Sequence, residues 1–106
     1  IGMERLVRKA QSVDCWGGKA PNILIVCPPA ILPEMEQAEC GIPMGRGCLD
    51  KSRELPKFLE KTAKLTGAHY LDAAPCQFNR LDGMHLTKQG HAQLARLLTE
   101  KVSQLL

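Results

Sequence analysis

Aromatic side chains are scarce in this sequence, which has one Trp, one Tyr and two Phe among 106 residues. Surfaces that bind single-stranded nucleic acid stack bases on aromatic side chains, so such a platform is disfavoured. The net charge is only +3, and acidic and basic residues alternate, as in ELPKFLEKTAK. This pattern is typical of a solvated surface and not of a basic stripe that follows a phosphate backbone. We therefore expect no nucleic-acid partner.

Long apolar runs are also missing. The longest, ILIVCPPAIL at 23–32, contains two prolines and is about half as long as the ~20 apolar residues that a membrane-spanning helix needs. The sequence therefore predicts no membrane span. Its hydrophobic content of 44% is nevertheless typical of a folded chain, and its length corresponds to one domain or less.

The five cysteines include no C-x-x-C pair, which disfavours a zinc ribbon because such sites need closely spaced ligands. A bridge between Cys40 and Cys48 is sterically allowed across the glycine-rich segment that separates them. The other cysteines are interpreted as small apolar packing residues, most clearly Cys27 at the end of an apolar run.

Hydrophobic periodicity predicts three helices and two strands in alternation. The first helix covers about 1–12 and has an apolar face formed by Met3, Leu6, Val7 and Ala10. The run NILIVC, ended by Pro28-Pro29, is typical of a strand buried on both faces. A second, weaker strand is predicted over HYLDAA at 69–74.

The ends of the other two helices follow from capping residues. The middle helix is expected to start near Asp50 or Ser52 and to end near Leu65, with Gly67 at its C′ position and Pro56 in its first turns. Thr87 is the expected N-cap of the last helix. The apolar stripe of that helix consists of Leu94, Leu98, Val102 and Leu105.

Two strands between three helices make a poor independent domain, because a parallel pair has two open edges and needs helices on both faces. A chain of this length also buries a modest fraction of its surface. The pattern therefore indicates the second half of a larger, doubly wound α/β domain.

Asp82 lies three residues before His85, in LDGMHLTKQGH. A histidine that acts as a general base needs one ring nitrogen free and the other held by an acceptor. A carboxylate three residues earlier can accept the Nδ1–H if the intervening residues form a turn, and Gly83 gives that turn conformational freedom. The alternative is structural: Asp82 caps a local turn and His85 is an ordinary loop residue.

The surroundings of this pair favour catalysis. DGMHLTKQGHAQLARLL resembles the terminal block of the SGNH hydrolase superfamily, the GDSL-type lipases and esterases. The residues that match that block in order are Asp82, His85, Leu86, Thr87, Gly90 and His91. The resemblance implies a flavodoxin-like three-layer α/β/α sandwich with a parallel sheet. Residues 1–106 would form the C-terminal half of one such domain.

By the same resemblance, His85 would deprotonate a serine and Asp82 would orient His85. The reaction would be hydrolysis of a small-molecule carboxylic ester through an acyl-enzyme, with no cofactor and no metal. The Gly-Asp-Ser block, the oxyanion-hole glycine and the Gly-x-Asn-Asp block are not found in the 106 residues. We therefore expect an N-terminal half, on the same or a separate chain, to supply them, and the 106 residues alone to be inactive.

Two other classes of function remain open. The chain could be a truncated or degenerate α/β module that works through contacts alone, or an unrelated small α/β binding domain. Cys27, near the carboxyl end of its strand, is a minor candidate for a replacement nucleophile. The segment that follows it could line a substrate pocket, with Met35, Ile42 and Met44 as an apolar wall, or could be an ordinary surface loop.

Overall fold

The computed structural model describes residues 2–33, 47–76 and 84–106. In chain order they form α1 (Gly2–Ser12), β1 (Leu24–Cys27), α2 (Cys48–Thr66), β2 (His69–Asp72) and α3 (Lys88–Leu105). Helices alternate with strands, and the two strands pair in parallel. The α/β class with a parallel sheet, predicted from the sequence, is confirmed.

The sheet pairs β1 with β2 in a register that runs from Leu24 opposite His69 to Cys27 opposite Asp72. A hydrogen bond of 2.9 Å from the Ala73 amide to the Cys27 carbonyl continues the pairing one residue past the end of β2. Because the strands are parallel, the segments that leave them begin at the same edge of the sheet. We refer to this edge as the carboxyl edge.

The hydrophobic core lies between one face of the sheet and the helices α1 and α2. Its buried members are Val7, Ile25, Cys27, Leu59 and Ala63. Ile25 and Cys27 alternate along β1 with Leu24 and Val26, which are only half-buried. Side chains alternate between the two faces of a strand, so α1 and α2 cover one face well and the other is covered less.

Helix α1 forms where the sequence predicts the first helix, but one residue of its predicted apolar face is exposed. Val7 is buried and Met3 packs against the core, whereas Leu6 is 66% exposed. The side chains of Leu6 and Val7 point about 100° apart around the helix, and only the Val7 side meets the sheet and α2. The Gln11 side-chain amide donates a hydrogen bond of 2.7 Å to the Thr66 carbonyl, which joins the last turn of α1 to the end of α2.

Helix α2 begins at Cys48, earlier than predicted. Its N-cap is Gly47, which has a φ of 77° and provides no side-chain cap. The prediction of an N-cap at Asp50 or Ser52 is therefore wrong: both residues lie within the helix.

The sequence made one prediction about Pro56 and one about Gly67; the first is wrong and the second is confirmed. Pro56 lies in the interior of the helix and not in its first turns, since α2 starts at Cys48. Gly67 follows the helix with a φ of 74°, as predicted for the left-handed C′ position.

Helix α3 leaves most of its predicted apolar stripe partly uncovered. All of its residues are described, and only Gly90 is buried; Val102 is 40% exposed. The end of α3 reaches the sheet, because Leu24, Val102 and Leu105 line one small cleft. A pair of strands offers too little surface to bury a whole helix stripe of this length. Among the helices of the described ranges, none has the length and apolar character needed to cross a bilayer.

The core assignment predicts unequal effects of two leucine truncations in α2. Leu59→Ala should lower the free energy of unfolding by about 2–5 kcal/mol, because it opens a cavity in the core. Leu65→Ala is the matched control: this side chain is 61% exposed, and its loss should cost less than about 0.5 kcal/mol. Urea denaturation measures both, and equal losses would contradict the assignment.

Candidate active site

The chain leaves β2 at the carboxyl edge through a tight turn. The Asp72 carboxylate accepts a hydrogen bond of 2.9 Å from the Ala74 amide, and the Cys76 amide donates one of 2.8 Å to the Ala73 carbonyl. Cys76 is fully buried. This turn sets the direction in which the chain departs from the sheet toward the segment before α3.

His85 lies in a bend just before α3, and its side chain is exposed. The start of α3 is fixed two residues later, where the Thr87 hydroxyl oxygen accepts a hydrogen bond of 3.2 Å from the Gly90 amide. The predicted N-cap at Thr87 is confirmed. Asp82 lies outside the described residues, so its geometry with respect to His85 stays a prediction.

A cleft of about 460 Å³ adjoins this bend. It opens between the segment that follows β1, the first turns of α2, and the residue immediately before His85. Its apolar walls are Pro28, Pro29, Ile31, Leu55 and Met84. A group bound in the cleft would therefore contact Met84, the residue before His85, in a largely apolar surrounding.

One hydrogen bond holds two walls of the cleft together. The Ser52 hydroxyl oxygen accepts a hydrogen bond of 2.8 Å from the Ile31 amide. Ser52, predicted as a helix cap, instead attaches the segment after β1 to the first turns of α2. Both residues line the cleft, so the bond fixes the position of these two walls relative to each other.

The residues that form this cleft differ from those predicted. The apolar wall predicted from Met35, Ile42 and Met44 lies outside the described residues. Leu55 and Met84 were not singled out in the sequence. The sequence gives only a weak indication that these two residues line a pocket. Leu55 is an apolar residue in the first turns of a helix, and Met84 lies within the Asp-x-x-His motif.

Cys27 is fully buried under α2, beside Tyr70. Burial raises the pKa of the Cys27 thiol, the neighbouring Tyr70 hydroxyl lowers it, and the Asp72 carboxylate raises it. The thiol donates a hydrogen bond of 3.5 Å to the Pro28 carbonyl. Burial also raises the pKa of Tyr70. A buried neutral thiol is a poor nucleophile, so the surroundings favour the packing interpretation of Cys27.

Cys48 is a free, buried thiol. Cys40, with which the sequence left a bridge open, lies outside the described residues. Cys48 packs at the first turn of α2, where it lines the cleft.

All three serines of the sequence hydrogen-bond to backbone atoms nearby. The Ser12 hydroxyl donates to the Lys9 carbonyl at 2.7 Å. The Ser103 hydroxyl donates to the Thr99 carbonyl at 2.7 Å. With Ser52 holding the cleft walls, none of them lies in a turn after a strand, where a nucleophilic serine of an α/β hydrolase is exposed.

Metal ligands are not clustered in the described ranges. Within residues 2–33, 47–76 and 84–106, no group of three or more His, Cys, Asp or Glu side chains could hold a metal ion. His91 is exposed in the first turn of α3, and His69 is exposed at the start of β2.

Comparison with protein-family models gave no match, and comparison with curated proteins gave none either. Solved structures do match, each over 99% of this chain. They include Est24, a carbohydrate acetylesterase from Sinorhizobium meliloti, with 26% sequence identity and a TM-score of 0.79. A putative arylesterase from Agrobacterium tumefaciens str. C58 has 28% identity and a TM-score of 0.79. The native aryl esterase of M. smegmatis has 26% identity and a TM-score of 0.80.

In each of these three structures, the chain covers 50% of the matched protein. The chain thus spans about half the length of the esterases it matches. The sequence resemblance to the GDSL-type esterases of the SGNH hydrolase superfamily is confirmed, since solved esterase structures match 99% of the chain. That residues 1–106 form the C-terminal half of one such domain stays a prediction.

The Thr87 cap leads to a stability prediction. Thr87→Ala should lower the free energy of unfolding by about 1 kcal/mol, because the Gly90 amide loses its acceptor, and Thr87→Ser should retain most of that stability. Thr99→Ala is the control, since this exposed hydroxyl bonds only within its own helix, to the Ala95 carbonyl. Thermal unfolding distinguishes them. A loss for Thr99→Ala as large as for Thr87→Ala would show that the cap has no special role.

The burial of the thiols leads to a reactivity prediction. In the folded protein at mildly alkaline pH, iodoacetamide should alkylate the exposed Cys15 and leave Cys27 and Cys76 unmodified. Both buried thiols have a raised pKa, so little thiolate is present below the folded-state pKa. Peptide mass mapping locates the label, and a urea-unfolded sample should be labelled at all three. Rapid labelling of Cys27 in the folded protein would contradict its packing role.

Proposed function

We propose that the complete protein hydrolyses carboxylic esters through an acyl-enzyme, and that this chain supplies the general base His85 and its orienting carboxylate Asp82. The observation that carries the proposal is the likeness, over 99% of the chain, to about half of each of three esterases. The Asp82-x-x-His85 motif, in the stretch that leads into α3, supports it from the sequence side.

In the proposed mechanism, the neutral imidazole of His85 accepts the proton of a serine hydroxyl while the serine oxygen attacks the ester carbonyl. The resulting imidazolium gives this proton to the departing alcohol, and an acyl-serine remains. A water molecule, deprotonated by the same imidazole, then attacks the acyl-serine. The imidazolium returns that proton to the departing serine oxygen, and the acid is released. Asp82 would accept the Nδ1–H of His85 and stabilise the imidazolium in both steps.

The serine and the oxyanion-hole donors would come from the N-terminal half of the domain, on the same chain or on a separate one. Three features support this division. The chain spans about half of the esterases it matches. Its own serines are engaged with backbone atoms. Acyl transfer also needs a nucleophile and oxyanion stabilisation in addition to a base. The 106 residues alone would then have little activity.

The cleft beside His85 supports an ester substrate. An ester whose carbonyl lies near His85 could place one of its two substituents against Ile31, Leu55 and Met84. The similar structures differ in the alcohol named for them, a carbohydrate in one and an aryl group in another. Acetylated sugars and aryl acetates are therefore the first substrates to test.

Substitution of His85 tests the proposal. In the complete protein, His85→Ala should lower kcat/KM for 4-nitrophenyl acetate at least ~10³-fold, because serine activation and leaving-group protonation both lose their proton carrier. Asp82→Asn should lower it too, with the fold intact. His91→Ala is the matched control, since His91 is exposed one turn into α3 and should leave kcat/KM unchanged.

Labelling by a fluorophosphonate serine probe, read by denaturing intact-mass spectrometry, locates the nucleophile in the same samples. An adduct on a heavier chain, or on a companion chain, with labelling slowed in His85→Ala, is the expected result. An unlabelled species of 11.7 kDa with no companion would favour the alternative, a module that works through contacts alone. Wild-type turnover in His85→Ala would end the proposed mechanism.

A further inference from the structure

The apolar cleft beside His85 has one charged group among its described lining residues, the side chain of Lys51. Lys51 lies in the first turns of α2, and Leu55 follows one turn later on the same face of the helix. The lysine is exposed at the cleft, whereas Leu55 is half-buried within it. The helix therefore presents an apolar wall with a cation at its outer end.

Lys51 makes no ion pair with another residue of the ranges 2–33, 47–76 and 84–106. The ion pairs found among the described residues join Arg8 with Glu4 and Lys64 with Glu60. Asp50 and Glu54 flank Lys51 on α2, are exposed, and do not line the cleft. A lysine can lay its methylene stem along apolar surface and keep its ammonium group at the water boundary. An anion at that boundary would gain a charge-assisted contact without displacing a carboxylate of the described ranges.

We propose that Lys51 is a specificity-determining residue, and that the cleft takes an apolar substrate group that carries a carboxylate or sulfonate at its outer end. The inference rests on the proposed ester hydrolysis and narrows its substrate class to anionic amphiphilic esters. The apolar part would pack against Ile31, Leu55 and Met84, and its anionic end would meet the Lys51 ammonium. Esters of the same length without the charge would bind the same walls but lack that contact.

Matched ester pairs test the proposal in the complete protein. One pair carries the charge on the acyl side, mono-4-nitrophenyl glutarate against 4-nitrophenyl pentanoate. The other carries it on the alcohol side, 4-acetoxybenzoate against 4-tolyl acetate. In at least one pair, Lys51→Met should lower kcat/KM for the anionic ester about five- to tenfold and leave the neutral ester unchanged.

Lys57→Met is the matched control, because Lys57 is exposed on the same helix and does not line the cleft. It should change neither ester of either pair. High salt should reduce the anionic preference of the wild-type protein and have little effect in Lys51→Met. Equal effects of Lys51→Met on both esters in both pairs, or none on either, would overturn the proposal.

A binding measurement separates this inference from the proposed catalysis. The His85→Ala variant is titrated with 8-anilino-1-naphthalenesulfonate and with its uncharged analogue N-phenyl-1-naphthylamine, both followed by fluorescence. Adding Lys51→Met should weaken binding of the sulfonate about five- to tenfold and leave the neutral analogue unchanged. Ile31→Trp, which fills the cleft, should weaken both probes.

The kinetic and binding measurements together show which of the two proposals is wrong, the ester hydrolysis or the role of Lys51. If no ester is hydrolysed but the sulfonate depends on Lys51, the proposed reaction is wrong and the anion-selective cleft stands. If esters are hydrolysed through His85 but Lys51→Met alters neither the ester preference nor the sulfonate affinity, the reaction stands and the role of Lys51 is wrong.

Discussion

The parallel pairing of β1 with β2 is the constraint on which the rest of this structure depends. Parallel strands cannot be joined by a tight hairpin, so the chain must return along the sheet, and α2 forms that connection. The segments after β1 and after β2 then leave at one edge. This geometry brings Pro28, the first turns of α2 and Met84 around a single cleft, although they are far apart in the sequence. It also places His85 next to that cleft.

The two faces of the sheet are covered unequally. On one face, Ile25 and Cys27 pack under α1 and α2 with Leu59 and Ala63. On the other face, Leu24 and Val26 are half-buried, and α3 meets the sheet near its end with Val102 40% exposed. This arrangement agrees with the likeness to half of a larger esterase domain. In such a domain, further strands and helices would cover the open edges and the remaining apolar surface.

The candidate active site combines a polar bend with an apolar cleft, and each has its own structural support. The Thr87 cap fixes where α3 starts, and so limits where the bend at His85 lies. The Ser52 hydroxyl joins the segment after β1 to α2, and both of these segments line the cleft. The buried thiols Cys27 and Cys76 have raised pKa values and fill space at this edge, whereas His85 and Lys51 are exposed there. The proposed reaction uses the first group, and the proposed selectivity uses the second.

The sequence by itself determined the alternation of helices and strands, the Thr87 cap, the Gly67 terminus and the Asp82-x-x-His85 motif. These features follow from local periodicity and capping chemistry, which nearby residues specify. Only the tertiary structure decided that Leu6 is exposed, that Ser52 bonds Ile31, and that Gly47 precedes α2. It also brought Lys51, Leu55 and Met84 around one cleft. Such features depend on which helix faces meet the sheet and on which segments converge at its edge, and residues distant in sequence set both.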